Sequence, residues 1–194
     1  MLLFPISLIY WGVVWLRNLA YNAGIFKSEK FHIPVISVGN LAAGGTGKSP
    51  MTEYLVRLLK EQYKIATLSR GYGRKTKGFL EVEKNSTSEQ TGDEPLQFKT
   101  KFPEITVAVC ENRAVGIEEL EAEHDVIVLD DAYQHRAVKP GLSILLFDYR
   151  EVFKMQFCLP TGNLREPLSG RKRADIIVVT KSPEGLNAQE KKIL

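Results

Sequence analysis

Cysteine is scarce in this chain, and histidine nearly so. Two cysteines, Cys110 and Cys158, lie far apart, and three histidines, His32, His124 and His135, are scattered. Neither set has the spacing of a zinc site, and two distant thiols fit a reducing compartment better than a disulfide framework. The chain also lacks a strong charge bias. Its net charge of +3 gives no argument for nucleic acid as a partner, although it suits anionic substrates or a membrane surface. No internal repeat is visible. Residues 2–16 carry no charge at all, yet this run is shorter than the roughly 20 apolar residues of a spanning helix. No Lys or Arg precedes it and no clear small-x-small cleavage site follows, so it makes a poor secretory signal.

That run is rich in Trp11, Trp15, Tyr10 and large aliphatics, and Arg17, Lys27 and Lys30 follow it. It predicts a helix from about Pro5 to Ala23, stopped at Gly24. Aromatic residues of this kind favour a membrane interface. The segment 1–26 therefore reads as an anchor lying in or dipping into a bilayer surface. The alternative is a helix packed on the protein's own core.

Past it, the 194 residues are 44% hydrophobic and 25% charged, enough for one domain with a sizeable core over 27–194. Apolar runs are expected as strands at Pro34–Val38, Lys64–Leu68, Ile105–Val109, Asp125–Leu129, Leu142–Phe147 and Asp175–Thr180. Several are continuously apolar and β-branched, the pattern of strands covered on both faces. Helices are expected at Lys48–Lys60, Glu94–Lys101 and Arg113–Glu121. The fold class is α/β: a doubly wound, mainly parallel sheet of P-loop NTPase type. Lys84–Thr91 holds no apolar residue and reads as a loop or lid. The end, a new helical segment at Asn187–Leu194, reads as the start of something further, so the chain is expected to be the N-terminal part of a longer protein.

The strand at Val35–Val38 runs into Ala42-Ala43-Gly44-Gly45-Thr46-Gly47-Lys48-Ser49. Strand, glycine-rich turn and Gly-Lys-Ser at a helix start form the phosphate-binding loop. Glycines let successive N–H groups point at one anion, and the helix N-terminus adds its positive dipole end. Lys48 would reach the β- and γ-phosphates of ATP, and the Ser49 hydroxyl would hold Mg²⁺. Ala42 stands where the usual pattern has Gly. Dimeric P-loop ATPases carry a Lys just before the paired glycines, and Ala43 counts against them.

Such a site needs acidic groups near the metal. Val126–Leu129 ends in Asp130-Asp131, an apolar strand followed by two carboxylates, and either would hold Mg²⁺ directly or through water. Asp93 and Glu94, between Gly92 and Pro95, read equally as helix caps or as chemistry. Asp148 reads as structural. Basic groups in loops include Arg70, Arg74, Arg113, His135, Arg136 and Arg165, which together suggest a pocket holding more phosphate than ATP supplies.

These segments, in order, resemble the tetraacyldisaccharide 4′-kinase (lipid A 4′-kinase) family. The resemblance runs through Ser37–Leu41, Gly44–Pro50, Leu68–Arg74, Gly92–Pro95, Asp130–His135 and Leu159–Pro167, essentially the whole chain. It implies ATP- and Mg²⁺-dependent transfer of the γ-phosphoryl to the 4′-hydroxyl of a lipid A disaccharide precursor. It also implies work at the cytoplasmic face of the Gram-negative inner membrane, and no nucleic acid. By the same resemblance, Asp93 matches the catalytic base. Glu94 matches an acidic residue near the metal and nucleotide and is placed among the substrate contacts, as are Arg70, Arg113, His135 and Arg165. Ala132, Tyr133, Thr161 and Asn163 depart mildly from the family's pattern. Family members extend well past Leu194, where a histidine supports the catalytic aspartate. A membrane-associated regulatory ATPase, or an ATP-binding form without transfer activity, remain the alternatives.

Overall fold

A computed structural model describes residues 3–193. Helix α1 (Phe4–Asn22) comes first, and strand β1 (Val35–Asn40) leads through the glycine-rich loop into α2 (Lys48–Leu59). Then follow β2 (Ile65–Ser69), β3 (Leu80–Glu81), the one-turn α3 (Ser88–Thr91) and α4 (Asp93–Lys101). Next are β4 (Thr106–Val109), α5 (Arg113–Glu121), β5 (Val126–Asp130) and β6 (Leu142–Asp148). Short α6 (Tyr149–Val152), a 3₁₀ turn at Leu168–Arg173, β7 (Ile176–Thr180) and α7 (Ala188–Ile193) complete the order.

The strands form one sheet in the order β3-β4-β2-β5-β1-β6-β7. Every pairing is parallel except β3 with β4. Alternation along the strands sends side chains to two cores. Val38, Val128, Ile144 and Leu146 pack with Leu55 and Val56 of α2 on one face. Val35, Ala66, Leu68, Ile127 and Leu129 pack with Ile117 and Leu120 of α5 on the other. The expected strands and long helices are all present. The short β3 and α3 are additions. The polar segment expected as a loop closes on a capping box, in which Thr87 and Gln90 satisfy each other's end of the α3 turn.

Because the long strands run parallel, their carboxyl ends share one edge. The loops after β1, β2, β4, β5 and β7 therefore meet there, which is where open α/β sheets bind ligands.

Helix α1 lies against the body through polar groups. Ser7 Oγ donates to Thr161 Oγ1 at 2.7 Å, and Tyr10 OH to the Arg165 carbonyl at 2.8 Å. Arg17 donates to the Gln134 carbonyl at 2.8 Å, and Asn18 to Glu166 at 3.0 Å. Ile6, Ile9, Val13 and Leu16, each more than half exposed, lie on the side turned away. Positions spaced by three and four share a helix face. This helix thus directs its polar stripe inward and its apolar stripe outward, the reverse of an ordinary surface helix. No helix among the described residues is long and apolar enough to cross a membrane.

Candidate active site at the carboxyl edge of the sheet

The phosphate loop is tied to the end of β1. Buried Asn40, ending β1, donates to Thr46 Oγ1 at 2.7 Å. Gly47 caps α2 at φ 85°, a left-handed conformation that favours glycine. The loop's flank is tied by the Ala43 N–H donating to the Asn163 carbonyl (2.7 Å) and the Arg165 N–H donating to the Leu41 carbonyl (2.7 Å).

Acidic groups gather at the start of α2. Ser49 Oγ lies 3.3 Å from Glu94 Oε1, so the first turn of α4 meets the first turn of α2. One turn further along α2, Thr52 Oγ1 donates to Asp130 Oδ1 at 3.3 Å. A cavity of about 210 Å³ opens among Ser49, Thr52, Ser69, Glu94 and Asp130. Burial, then the neighbouring charges of Asp131 and Glu94, push the Asp130 carboxyl up to about 6. Asp131 sits at φ 49°, unusual for a residue with a side chain. Its carboxylate lies 3.8 Å from Lys48 Nζ and 3.0 Å from Arg165 Nη1 through either oxygen.

Gly92 explains how Asp93 reaches this edge. It has φ 90°, and a Cβ there would stand 2.8 Å from the Tyr72 carbonyl, so only glycine lets the α4 turn abut the loop after β2. Asp93 is exposed at the first position of α4, beside Glu94.

A second group is cationic. Arg113 is buried at the start of α5 and donates through Nη1 to the Cys110 carbonyl at 2.7 Å. Its Nε is buried without a partner. Burial, helped by the nearby charge of Arg70, pulls its guanidinium down to about 10. The Arg113 backbone N–H donates to His135 Nε2 at 3.4 Å. Burial and the charges of Arg113, Arg17 and Arg70 hold His135 down to about 4, so its ring is neutral at pH 7. Arg70 is exposed on the loop after β2.

The larger cavity, about 880 Å³, lies away from the phosphate loop. Tyr21, His135, Arg136, Arg173, Ser37 and Asp175 are among its walls.

The family description tetraacyldisaccharide-1-P 4′-kinase matches residues 1–193. The tetraacyldisaccharide 4′-kinase of Phocaeicola vulgatus is 51% identical over 99% of this chain and 54% of its own length. That of Flavobacterium johnsoniae is 52% identical over 97% of this chain and 56% of its own. LpxK from Aquifex aeolicus, solved in complex with ATP, superposes with a TM-score of 0.87 at 37% identity, over 96% of this chain and 61% of that one. The chain belongs to the tetraacyldisaccharide-1-P 4′-kinase family. It spans about half the length of the curated relatives it matches.

Within this family fold, most of the residues singled out from the sequence fall into two groups, while Asp93 stands exposed in the first turn of α4 beside Glu94. Lys48, Ser49, Glu94, Asp130, Asp131 and Arg165 converge on the phosphate loop. Arg70 and Arg113, with the neutral ring of His135, form the neighbouring group. Glu94, which the resemblance matches to an acidic residue near the metal and nucleotide as well as to the substrate contacts, lies 3.3 Å from Ser49 Oγ.

Sequence reasoning missed two residues that hold the site together. Glu166 is 2% exposed and accepts from Arg173, Asn18 and Gln134. Gln134 also donates to the Asn40 carbonyl at 2.8 Å, joining the loop after β5 to the root of the phosphate loop. A carboxylate inside an otherwise rigid Arg-Glu-Pro turn was the available signal for the first. Gln134 gave none.

Proposed function

We propose that this chain carries the nucleotide-binding and catalytic portion of an ATP-dependent kinase. Its acceptor is the 4′-hydroxyl of tetraacyldisaccharide 1-phosphate, in lipid A biosynthesis at the cytoplasmic face of the inner membrane. One observation carries the reading: the first turn of α4, with Asp93 and Glu94, is docked on the Lys48-Ser49 end of the phosphate loop. That docking supports a role for Asp93, in the same turn as Glu94, as the carboxylate that would take the acceptor's proton beside the γ-phosphate.

Phosphoryl transfer asks mostly for positioning and charge neutralisation. The loop glycines, Ala42, Ala43 and Thr46 would wrap the phosphates, and Lys48 would leave Asp131 for them. Mg²⁺, when bound, would neutralise charge shared between the β- and γ-phosphates. The donors present suit it, since Ser49 Oγ, Asp130 and Asp131 are hard oxygens, and Mg²⁺ commonly takes one or two carboxylates, waters and phosphates. Asp93 would accept the 4′-hydroxyl proton as that oxygen attacks phosphorus. Arg70, Arg113 and Arg165, with neutral His135 as a hydrogen-bonding group, would orient the anionic disaccharide.

The outward apolar stripe of α1 supports a lipid-facing role for residues 1–26, with 27–194 as the kinase domain. Tyr10 and Arg17 tie that helix to the Arg165 and Gln134 backbones, so an acceptor held in lipid would be presented beside the phosphate loop.

Transfer of labelled γ-phosphate to tetraacyldisaccharide 1-phosphate in detergent micelles tests this, with the longer Phocaeicola vulgatus relative as reference. Labelled lipid is the expected product, lost in Asp93→Ala with ATP affinity retained. ATP hydrolysis with no labelled lipid would favour a regulatory ATPase instead.

A further inference from the structure

The end of β7 reaches behind the phosphate loop. Thr180 Oγ1 lies 2.9 Å from the Thr46 carbonyl oxygen and 3.1 Å from that of Phe147, sharing one proton between them. Lys181 Nζ donates to the Gly45 carbonyl at 2.5 Å and to Asp148 Oδ2 at 2.7 Å. Asp148 is itself fixed by the Arg150 N–H at 2.9 Å. Lys181 adopts φ 57°, which a residue with a side chain rarely takes. Strain of this kind persists only where surrounding contacts determine it.

Two successive loop carbonyls are therefore both held on the β7 side. A trans peptide directs its C=O and N–H to opposite sides. Holding the carbonyls of Gly45 and Thr46 there turns the N–H groups of Thr46 and Gly47 the other way. In the structure the Thr46 N–H rests on the Gly44 carbonyl at 3.1 Å, a weak turn contact that an anion can replace. Thr180 also fills the space beside Gly47, where an added Cβ would lie 3.4 Å from its methyl group.

We propose that Thr180 and Lys181 are positioning residues for the triphosphate: a rear clamp that pre-organises the phosphate loop by fixing its outward carbonyls. They touch no phosphate themselves. Pre-organised donors cost no reorganisation when the anion arrives, so the clamp acts on affinity for the phosphates whatever nucleoside they carry. Nothing in a run of apolar strand residues followed by Thr-Lys marks this role in the sequence. The inference rests on reading the loop as the triphosphate site.

The test is calorimetric binding of Mg-ATP and of Mg-tripolyphosphate to the 194-residue chain and to Thr180→Val, Thr180→Ser and Lys181→Met. Thr180→Val keeps the shape of the side chain, and thermal melts check that each variant is folded. Thr180→Val and Lys181→Met are each expected to weaken both ligands by the same factor, about 5- to 10-fold, the scale of one hydrogen bond. Thr180→Ser should restore the wild-type values. Equal affinities in wild type and both variants would overturn the clamp, as would a loss confined to ATP, which would mean a contact with the nucleoside. Wild-type protein that is folded but binds neither ligand would instead defeat the triphosphate reading of the loop.

Discussion

One guanidinium nitrogen of Arg165 sits 3.0 Å from both carboxylate oxygens of Asp131, while Lys48 approaches the same carboxylate at 3.8 Å. Two cations share one carboxylate at the mouth of the phosphate loop. If Lys48 turns to bound phosphates as proposed, Arg165 would remain to hold the Asp131 carboxylate. Partly exposed pairs of this kind add only about 0–1 kcal/mol to stability. Removing a cation that steadies a charged reaction centre costs far more, about 10²–10³ in rate. Arg165→Ala is therefore expected to lower phosphoryl transfer by about 100-fold while shifting the thermal midpoint by only a few degrees. Transfer assays beside thermal scans check the split. Equal losses of activity and stability would make Arg165 merely structural.

Asp130 gives a pH dependence whose sign can be worked out. Its carboxyl is held at about 6 in the fold by burial and by Asp131 and Glu94, against about 3.9 in an unfolded chain. The folded state therefore keeps a proton between pH 4 and 6 that the unfolded state releases. The stability this provides is full below about pH 4 and disappears as pH rises through 6. Two pK units correspond to roughly 3 kcal/mol at most. Asp130→Asn, which cannot ionise, should gain stability relative to wild type as pH rises from 4.5 to 7.5, by about 1–3 kcal/mol in urea melts. It should also weaken Mg-dependent ATP binding. A stability difference that stays flat with pH would show that Asp130 is not strained by its ionisation.

Glu166 provides a prediction about stability alone. Its buried carboxylate meets Arg173 at 2.9 Å and accepts from Asn18 and Gln134. Breaking a buried ion pair by removing one partner typically costs about 3–5 kcal/mol, because the other charge is left without compensation. Arg173 is partly exposed and can rehydrate, so Glu166→Ala is expected to cost about 2–3 kcal/mol in chemical unfolding. The same change frees Asn18, so hydrogen exchange in α1 should quicken. Unchanged exchange there would mean that the helix is held by its other contacts.

Much of this was legible in the sequence because local chemistry and tertiary role coincide. Val126–Leu129 is apolar throughout because β5 is covered on both faces, and its two terminal carboxylates lie at the edge where ligands bind. Gly47, Lys48 and Ser49 read correctly as a helix start because that turn demands a left-handed residue followed by helix. What stayed hidden depends on contacts distant along the chain. Strand β3 has only two residues and exists because Leu80 and Glu81 find Val109 and Ala108. The outward apolar stripe of α1 could not be told from a buried one by periodicity. What decides it is that Ser7, Tyr10, Arg17 and Asn18 find polar partners more than a hundred residues away.

That stripe yields the last prediction. Ile6, Ile9, Val13 and Leu16 stand 53–69% exposed, and Trp11 and Trp15 stack with ring centroids 6.1 Å apart beside them. Exposed apolar surface on this scale marks a contact with protein or membrane. An interfacial helix buries its apolar face some 5–10 Å into the headgroup boundary, with binding that scales with the area buried. Vesicles of anionic bacterial-type phospholipid should therefore shift the emission of Trp11 and Trp15 to shorter wavelength. Ile9→Ser and Val13→Ser remove apolar area without touching the inward polar contacts, so thermal stability in detergent-free buffer should hold. Each should weaken vesicle partitioning by about tenfold, since burying such a side chain is worth about 1.5 kcal/mol or more. Phosphate transfer to a soluble, short-chain acceptor should be untouched by the same changes, whereas transfer to acceptor embedded in vesicles should fall with the partitioning. If both variants bind vesicles as wild type does, the outward stripe of α1 serves a protein partner and not a lipid surface.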